Sequence, residues 1–269
     1  MPSNPTGMPR HPLRTLFLSD LHLGTRAARP AEVLAFLAAH RAETIYLVGD
    51  VFDLWHGGRV HWSEATDALV AELEARARAG VRVIYLAGNH DAVLRQPGVA
   101  RLPDGWDLRE AVVHRAADGQ RYLVLHGDQA DARLFRLHVM TRIGSRADAG
   151  LRAFDAWLGR RGTWPRPTHR PSRIEQVLAG FNALFVMAGQ YETRLAGLAR
   201  AAGLQGVICG HSHRPGLRDV DGALYANCGD WVDSFTALTE DHDGALRLVE
   251  WAPAPAPSAL PQGGVVQEV

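Results

Sequence analysis

Residues 13–24 read LRTLFLSDLHLG, and this stretch decides the fold. Leu13 to Leu18 is a short apolar run, the pattern of a strand buried on both faces. It ends in Ser19-Asp20-Leu21-His22. Such polar groups are costly at the end of a buried run unless something neutralises them. The same event recurs twice downstream. Thr44 to Val48 (TIYLV) predicts a second strand and runs into Gly49-Asp50-Val51-Phe52-Asp53. Val81 to Leu86 (VRVIYL) predicts a third and runs into Gly88-Asn89-His90-Asp91. Between them, Ala31 to His40 has helical spacing through Val33, Leu34 and Leu37. Ser63 N-caps a helix to about Ala79, with Leu69, Val70 and Leu73 facing inward and Gly80 stopping it. A β-α-β-α-β order predicts a parallel sheet with its ligands at the C-terminal strand ends.

Further along, three runs are split by Asp-Gly: Ala111 to Leu125, Leu217 to Asn227 and Phe235 to Trp251. Each predicts a β-hairpin, so the second half adds antiparallel strands. Residues 129–202 carry no strand signal. Their spacing is helical, through Leu134 and Leu137, then Leu151, Phe154 and Leu158, then Ile174, Val177, Leu178 and Phe181. This reads as a helical insertion on an α/β core. Residues 1–12 and the Pro/Ala-rich residues 252–269 read as disordered tails around a folded domain over 13–251.

The chain has 269 residues, which suits one large α/β domain or one with an insertion. Hydrophobic residues make 46% and charged residues 22%, excluding a wholly disordered chain. Formal charge is zero, which argues against a bulk-electrostatic nucleic-acid binder. Every basic residue is Arg, excluding P-loop and Schiff-base chemistry. Cys209 and Cys228 are the only cysteines, so neither a disulfide scaffold nor a thiolate zinc site is expected, and a reducing compartment is. Cys209 reads as inert core, and Cys228 carries no expected metal or redox role. No 18-residue apolar stretch and no signal peptide is seen, and the chain reads as cytoplasmic.

Thirteen His is the unusual count, and it points to metal or acid–base work. Two further strand ends carry His126-Gly127-Asp128 and Gly210-His211-Ser212-His213. Asp-x-His in an extended segment sends both side chains to one face, and so does His-x-His. An oxygen and nitrogen donor set without thiolate suits Mn²⁺, Fe²⁺ or Zn²⁺. So many donors exceed what one ion with an open position takes. They fit two ions roughly 3.5–4 Å apart that share a carboxylate and activate a bridging water for in-line displacement at phosphorus.

In this order, the five motifs resemble the signature of the calcineurin-like metallophosphoesterases, over Leu13 to Trp251. Segments 18–25, 42–50 and 227–232 (NCGDWV), with the His126-Gly127-Asp128 turn before a helical insertion, resemble the UDP-2,3-diacylglucosamine pyrophosphatases of lipid A synthesis. The best-known branch of that family has Arg after the Asn. His90 stands here, which resembles a second branch. The resemblance implies a two-sheet αββα sandwich with a helical cap. It implies two divalent ions, Mn²⁺ foremost. Asp20, His22 and His213 would hold the first, Asn89, His126 and His211 the second, and Asp50 would bridge. His90 would face the scissile phosphate as acid or charge stabiliser, with Asp91 orienting it. Asp53 and Asp128 would support the ligands. The implied reaction is attack by a metal-bridging hydroxide, giving UMP and 2,3-diacylglucosamine 1-phosphate (lipid X).

Residues 131–173 hold ten Arg against three Asp. The functional reading is a cap whose apolar faces hold acyl chains and whose basic rim touches an anionic membrane surface, placing the chain peripherally on the cytoplasmic face of the inner membrane. Candidate substrate contacts are Asn89, Asp128, Arg133, Arg136, Phe154, Trp157 and Phe181, with Phe135, Leu137, Met140 and Phe185 also lining an acyl pocket. His56 and His61 are open to a substrate contact. His11, His40, His114, His138, His169 and His242 read as surface or structural. Two alternatives stay open: another phosphodiesterase or nucleotide pyrophosphatase of the superfamily, and a non-catalytic scaffold on the same fold.

Overall fold

A computed structural model of the chain describes residues 12–54, 60–95, 102–103, 105–130 and 188–252. Two sheets stack face to face. The first has the order β11-β10-β1-β2-β3-β4. It comprises β1 (Leu13–Leu18), β2 (Ala42–Val48), β3 (Arg82–Leu86) and β4 (Trp106–Arg109), all parallel, with β10 (Thr236–Glu240) and β11 (Leu246–Glu250) antiparallel at the side of β1. The second has the order β5-β6-β7-β9-β8, from β5 (Ala111–Arg115), β6 (Arg121–Leu125), β7 (Gly206–Cys209), β8 (Gly216–Val220) and β9 (Ala223–Asn227).

Alternation along β1 builds two cores at once. Phe17 faces the second sheet and joins Tyr46, Val48, Ile84, Tyr122, Val124 and Ile208. Leu16 and Leu18 face the other way, onto α1 (Pro30–Ala39) and α2 (Glu64–Arg78), with Val33, Phe36, Leu69 and Leu73. Both faces are therefore covered, which is why β1 to β3 read as continuous apolar runs. Pro30 opens α1, where a missing N–H costs nothing. Ser63 caps α2, its side chain accepting from the Thr66 N–H at 3.2 Å. The outer face of the second sheet is covered by α3 (Ala188–Ala201) through Tyr191, Leu195 and Ala199. The layers are thus helix, sheet, sheet, helix.

The three Asp-Gly hairpins form as expected, as β5–β6, β8–β9 and β10–β11. Antiparallel pairing does not extend through the second half, because β7 runs parallel to both β6 and β9. Strand β4 was not legible in the sequence: it has four residues, and only Trp106 among them is buried. Of the helical insertion, residues 188–202 are described. Residues 131–187, which include Arg133, Arg136, Phe135, Leu137, Met140, Phe154, Trp157, Phe181 and Phe185, lie outside the described residues. So do residues 1–11 and 253–269, and His56.

Candidate metal centre

Five loops meet above the C-terminal ends of β1, β2, β3, β6 and β7. Backbone hydrogen bonds join them. Asp20 N–H donates to Gly49 O at 3.1 Å and His22 N–H to Asp50 O at 2.9 Å. Gly210 N–H donates to His126 O at 2.9 Å, and Trp231 N–H to Asp20 O at 3.2 Å. The motif glycines are there for space. A Cβ on Gly88 would overlap the Asp50 carboxylate, and one on Gly210 would overlap Ser19 Oγ.

Two groups of side chains each gather ligand atoms within 4.8 Å of one another: Asp20 with His22 and His213, and Asp50 with His126 and His211. In the first, His213 Nε2 lies 3.1 Å from Asp20 Oδ1 and 3.2 Å from His22 Nε2. The other oxygen, Asp20 Oδ2, accepts from the His211 N–H at 3.0 Å and lies 2.5 Å from Ser19 Oγ. In the second, His126 Nε2 lies 3.3 Å from Asp50 Oδ2. His126 Nδ1 sits 2.9 Å from the carbonyl of Val48, which can only accept. The Nδ1 proton is thereby fixed, which leaves Nε2, beside Asp50, as the nitrogen able to bind a cation. A further grouping, His22 with Asp53 and His90, shares His22 with the first.

The backbone carries these side chains differently from the expected extended segments. Asp20 (φ 54°), His22 (φ 46°), Asp50 (φ 50°), His211 (φ 66°) and His213 (φ 54°) all adopt the left-handed region. Non-glycine residues visit it rarely and at a cost, and such strain concentrates at functional sites. The common face of Asp20 and His22 therefore arises from repeated left-handed turns.

Burial and mutual charge set the electrostatics. Burial alone would raise the Asp20 carboxyl, but the His213 imidazole overrides it and holds the group at about 2. Asp50 is likewise held well below the carboxylate range by His126 and His90, against burial. Burial, with His90 alongside, depresses His22 to about 4. The Asp50 carboxylate lifts His126 well above its ordinary value despite burial. Asp20 Oδ1, Asn89 Oδ1 and His126 Nε2 are buried polar atoms that make no hydrogen bond. Native interiors rarely tolerate such atoms, and those of Asp20 and His126, one in each ligand group, fit a cation. The nitrogen and oxygen donors without sulfur fit a divalent ion of the Mn²⁺, Fe²⁺ or Zn²⁺ kind.

His90 stands beside the cluster, its Nε2 3.9 Å from Asp50 Oδ2. Asp91, expected to orient it, has its carboxylate bonded to other groups. Asp91 is fully buried and turned away, accepting from the N–H groups of Gly88 (2.5 Å) and Val51 (2.9 Å) and from the Tyr85 hydroxyl. It joins the loops after β2 and β3. Asp53 meets His90 instead, Oδ2 to Nδ1 at 3.4 Å. Asp128 is buried and its carboxylate is held by Arg95, whose Nη2 lies 3.0 Å from Oδ2. Sequence reading missed Arg95, since nothing in the sequence links it to Asp128. His61 is at the rim, accepting from Arg26 Nε at 2.8 Å. His40 bonds Phe36 O and His114 bonds Glu240, so both are structural. Cys209 and Cys228 are buried, and burial pushes the Cys209 thiol up to about 12.

The family model described as calcineurin-like phosphoesterase matches residues 13–215. A UDP-2,3-diacylglucosamine hydrolase of Xanthomonas campestris pv. campestris is 30% identical over 255 residues, covering 86% of this chain and 97% of that protein. One from Neisseria meningitidis serogroup B is 29% identical over 243 residues, covering 86% and 95%. Among solved structures, Vacuolar Protein Sorting 29 from Cryptosporidium parvum aligns with a TM-score of 0.43 at 13% identity, over 88% of this chain and 95% of that one.

Proposed function

The chain belongs to the calcineurin-like phosphoesterases, and from that premise we propose that it hydrolyses the pyrophosphate of UDP-2,3-diacylglucosamine to UMP and 2,3-diacylglucosamine 1-phosphate. The observation that carries this is the match, over nearly the whole length of each chain, to hydrolases of that name. The ligand clusters support the chemistry.

In this reading Asp20, His22 and His213 would hold one divalent ion. Asn89, His126 and His211 would hold a second, and Asp50 would serve both. The nitrogen and oxygen donors admit Mn²⁺, Fe²⁺ or Zn²⁺, and Mn²⁺ is the ion the family resemblance puts first. Such ions supply Lewis acidity that activates water and offsets charge at phosphorus. The protein's own groups supply position and protons. Val48 O fixes the His126 tautomer, and Asp91 locks the loop that presents Asn89 and His90. His90, held by Asp53 at Nδ1, turns Nε2 to the cluster. There it holds a proton for the phosphoryl oxygen as charge builds.

Among the described residues no helix is long and apolar enough to cross a membrane. A peripheral place on the cytoplasmic face of the inner membrane follows from a substrate with two acyl chains and from the Arg-rich residues 131–173. Acyl recognition is assigned to the same insertion. The test is release of UMP, with Mn²⁺ present, from UDP-2,3-diacylglucosamine and from UDP-N-acetylglucosamine at equal concentration. The acylated substrate should turn over much faster. Equal rates would leave a general nucleotide pyrophosphatase in its place.

A further inference from the structure

The segment Asn227-Cys228-Gly229-Asp230-Trp231-Val232 lies between β9 and β10, and its side chains have no part in the roles above. Asp230 within it is fully buried. Its Oδ1 accepts from the backbone N–H groups of Val232 (2.8 Å), Asp233 (2.6 Å) and Ser234 (3.4 Å). Its Oδ2 makes no hydrogen bond, and it lies 3.9 Å from Nδ1 of His213. The far nitrogen of that ring, Nε2, is the one facing Asp20 and His22. The turn is anchored to the same cluster a second time, through Trp231 N–H on Asp20 O.

A turn that needs only an acceptor for backbone amides is served by Asn as well as Asp. A charged side chain buried with one oxygen unbonded costs more than that role requires. The charge therefore has another reason. An imidazole that lends Nε2 to a cation carries its proton on Nδ1, and the group facing Nδ1 decides whether it does. We infer that Asp230 is a positioning residue for His213. Across 3.9 Å its Oδ2 charge favours the proton on Nδ1, which sets the tautomer and aims the Nε2 lone pair at the first metal position. Asn227 supports the same loop from below, donating from Nδ2 to Gly210 O at 2.7 Å. The inference rests on His213 being a ligand, as proposed above.

Calorimetric titration of the full chain with Mn²⁺ alone tests it. In Asp230→Asn the amide oxygen still accepts from the three N–H groups. Its NH₂ then faces Nδ1 and demands the opposite tautomer. Affinity at one of the two sites should fall roughly 10–100-fold, with the other unchanged. Added to His213→Ala, the same change should do nothing more. Unaltered affinity in Asp230→Asn, or full additivity in the double variant, overturns the inference while leaving His213 a ligand. If His213→Ala itself binds Mn²⁺ like the parent, the reading beneath fails and takes the inference with it. Should Asp230→Asn not fold, the ¹⁵N shifts of His213 in the Zn²⁺-loaded parent decide. A proton on Nδ1 supports the assignment, and an unprotonated Nδ1 overturns it.

Discussion

Oδ2 of Asp53 lies 3.4 Å from Nδ1 of His90, while the opposite nitrogen of the ring looks toward Asp50 at 3.9 Å. One carboxylate thus holds the imidazole from behind as the other draws it to the cluster. His90→Ala should keep both ions and lose about 10²–10⁴-fold in kcat, the scale of a positioned acid. Asp53→Asn should fall between that variant and the parent. Metal content and turnover measured together check both. An ion lost from His90→Ala would mean that the His22, Asp53 and His90 grouping is itself a metal site.

Gly88 should tolerate no side chain. Its would-be Cβ overlaps the Asp50 carboxylate, and its N–H is bonded to Asp91. The β3 strand behind it is fixed by register with β2, so the clash falls on Asp50. Gly88→Ala should abolish turnover and weaken metal binding more than it lowers Tm. A variant that loses stability and keeps its activity per folded molecule would contradict this.

At the other end of β1, Glu240 joins the two sheets. Its side chain is buried between Arg14 (2.5 Å), His114 Nε2 (2.8 Å) and the Ala117 N–H (2.9 Å). Burial would raise its carboxyl, but the bond from His114 and its neighbours hold it down from 4.5 to about 2. A depressed carboxyl stabilises the fold above its unfolded value and loses that contribution as pH falls toward the folded one. The window is therefore pH 4.5 down to 2. The shift corresponds to about 3 kcal/mol at neutral pH. Glu240→Gln should lose roughly that much at pH 7, and the gap from the parent should close in acid. Urea melts at several pH values measure it, and a constant gap would refute the assignment.

How much of this was legible depends on distance in the chain. The strand ends were readable because a buried apolar run that stops at Asp or His is a local event. The hairpins were readable because Asp-Gly demands a tight turn. The left-handed φ of Asp20 and His211 was not, since no residue type there requires it. Sequence alone pairs Asp91 with His90 because the two are neighbours. In space its carboxylate is taken by Val51, Gly88 and Tyr85, and Asp53 arrives from the β2 loop. Nothing local in the sequence sets Asp230 apart, because its relation to His213 exists only once β9 and β7 pair.

Arg95 gives the last prediction. It follows the His90 loop in a short 3-10 turn (Ala92–Arg95), and its guanidinium reaches three places. Nη2 donates to Ala87 O at 2.8 Å and to Asp128 Oδ2 at 3.0 Å, and Nε donates to Glu110 at 2.8 Å. It so ties the loop carrying Asn89 to the loop carrying His126. The Asp128 side chain is only 8% exposed, so removing its partner strands a nearly buried charge. Arg95 is itself 30% exposed, and water will soften the loss to about 1–3 kcal/mol. Arg95→Lys should not rescue it, since a single ammonium lacks the fork that serves a carbonyl and two carboxylates. Arg95→Ala should therefore lower Tm, and Asp128→Ala combined with it should cost less than the two losses summed. Strict additivity in that double-mutant cycle would show that the pair does not couple the loops.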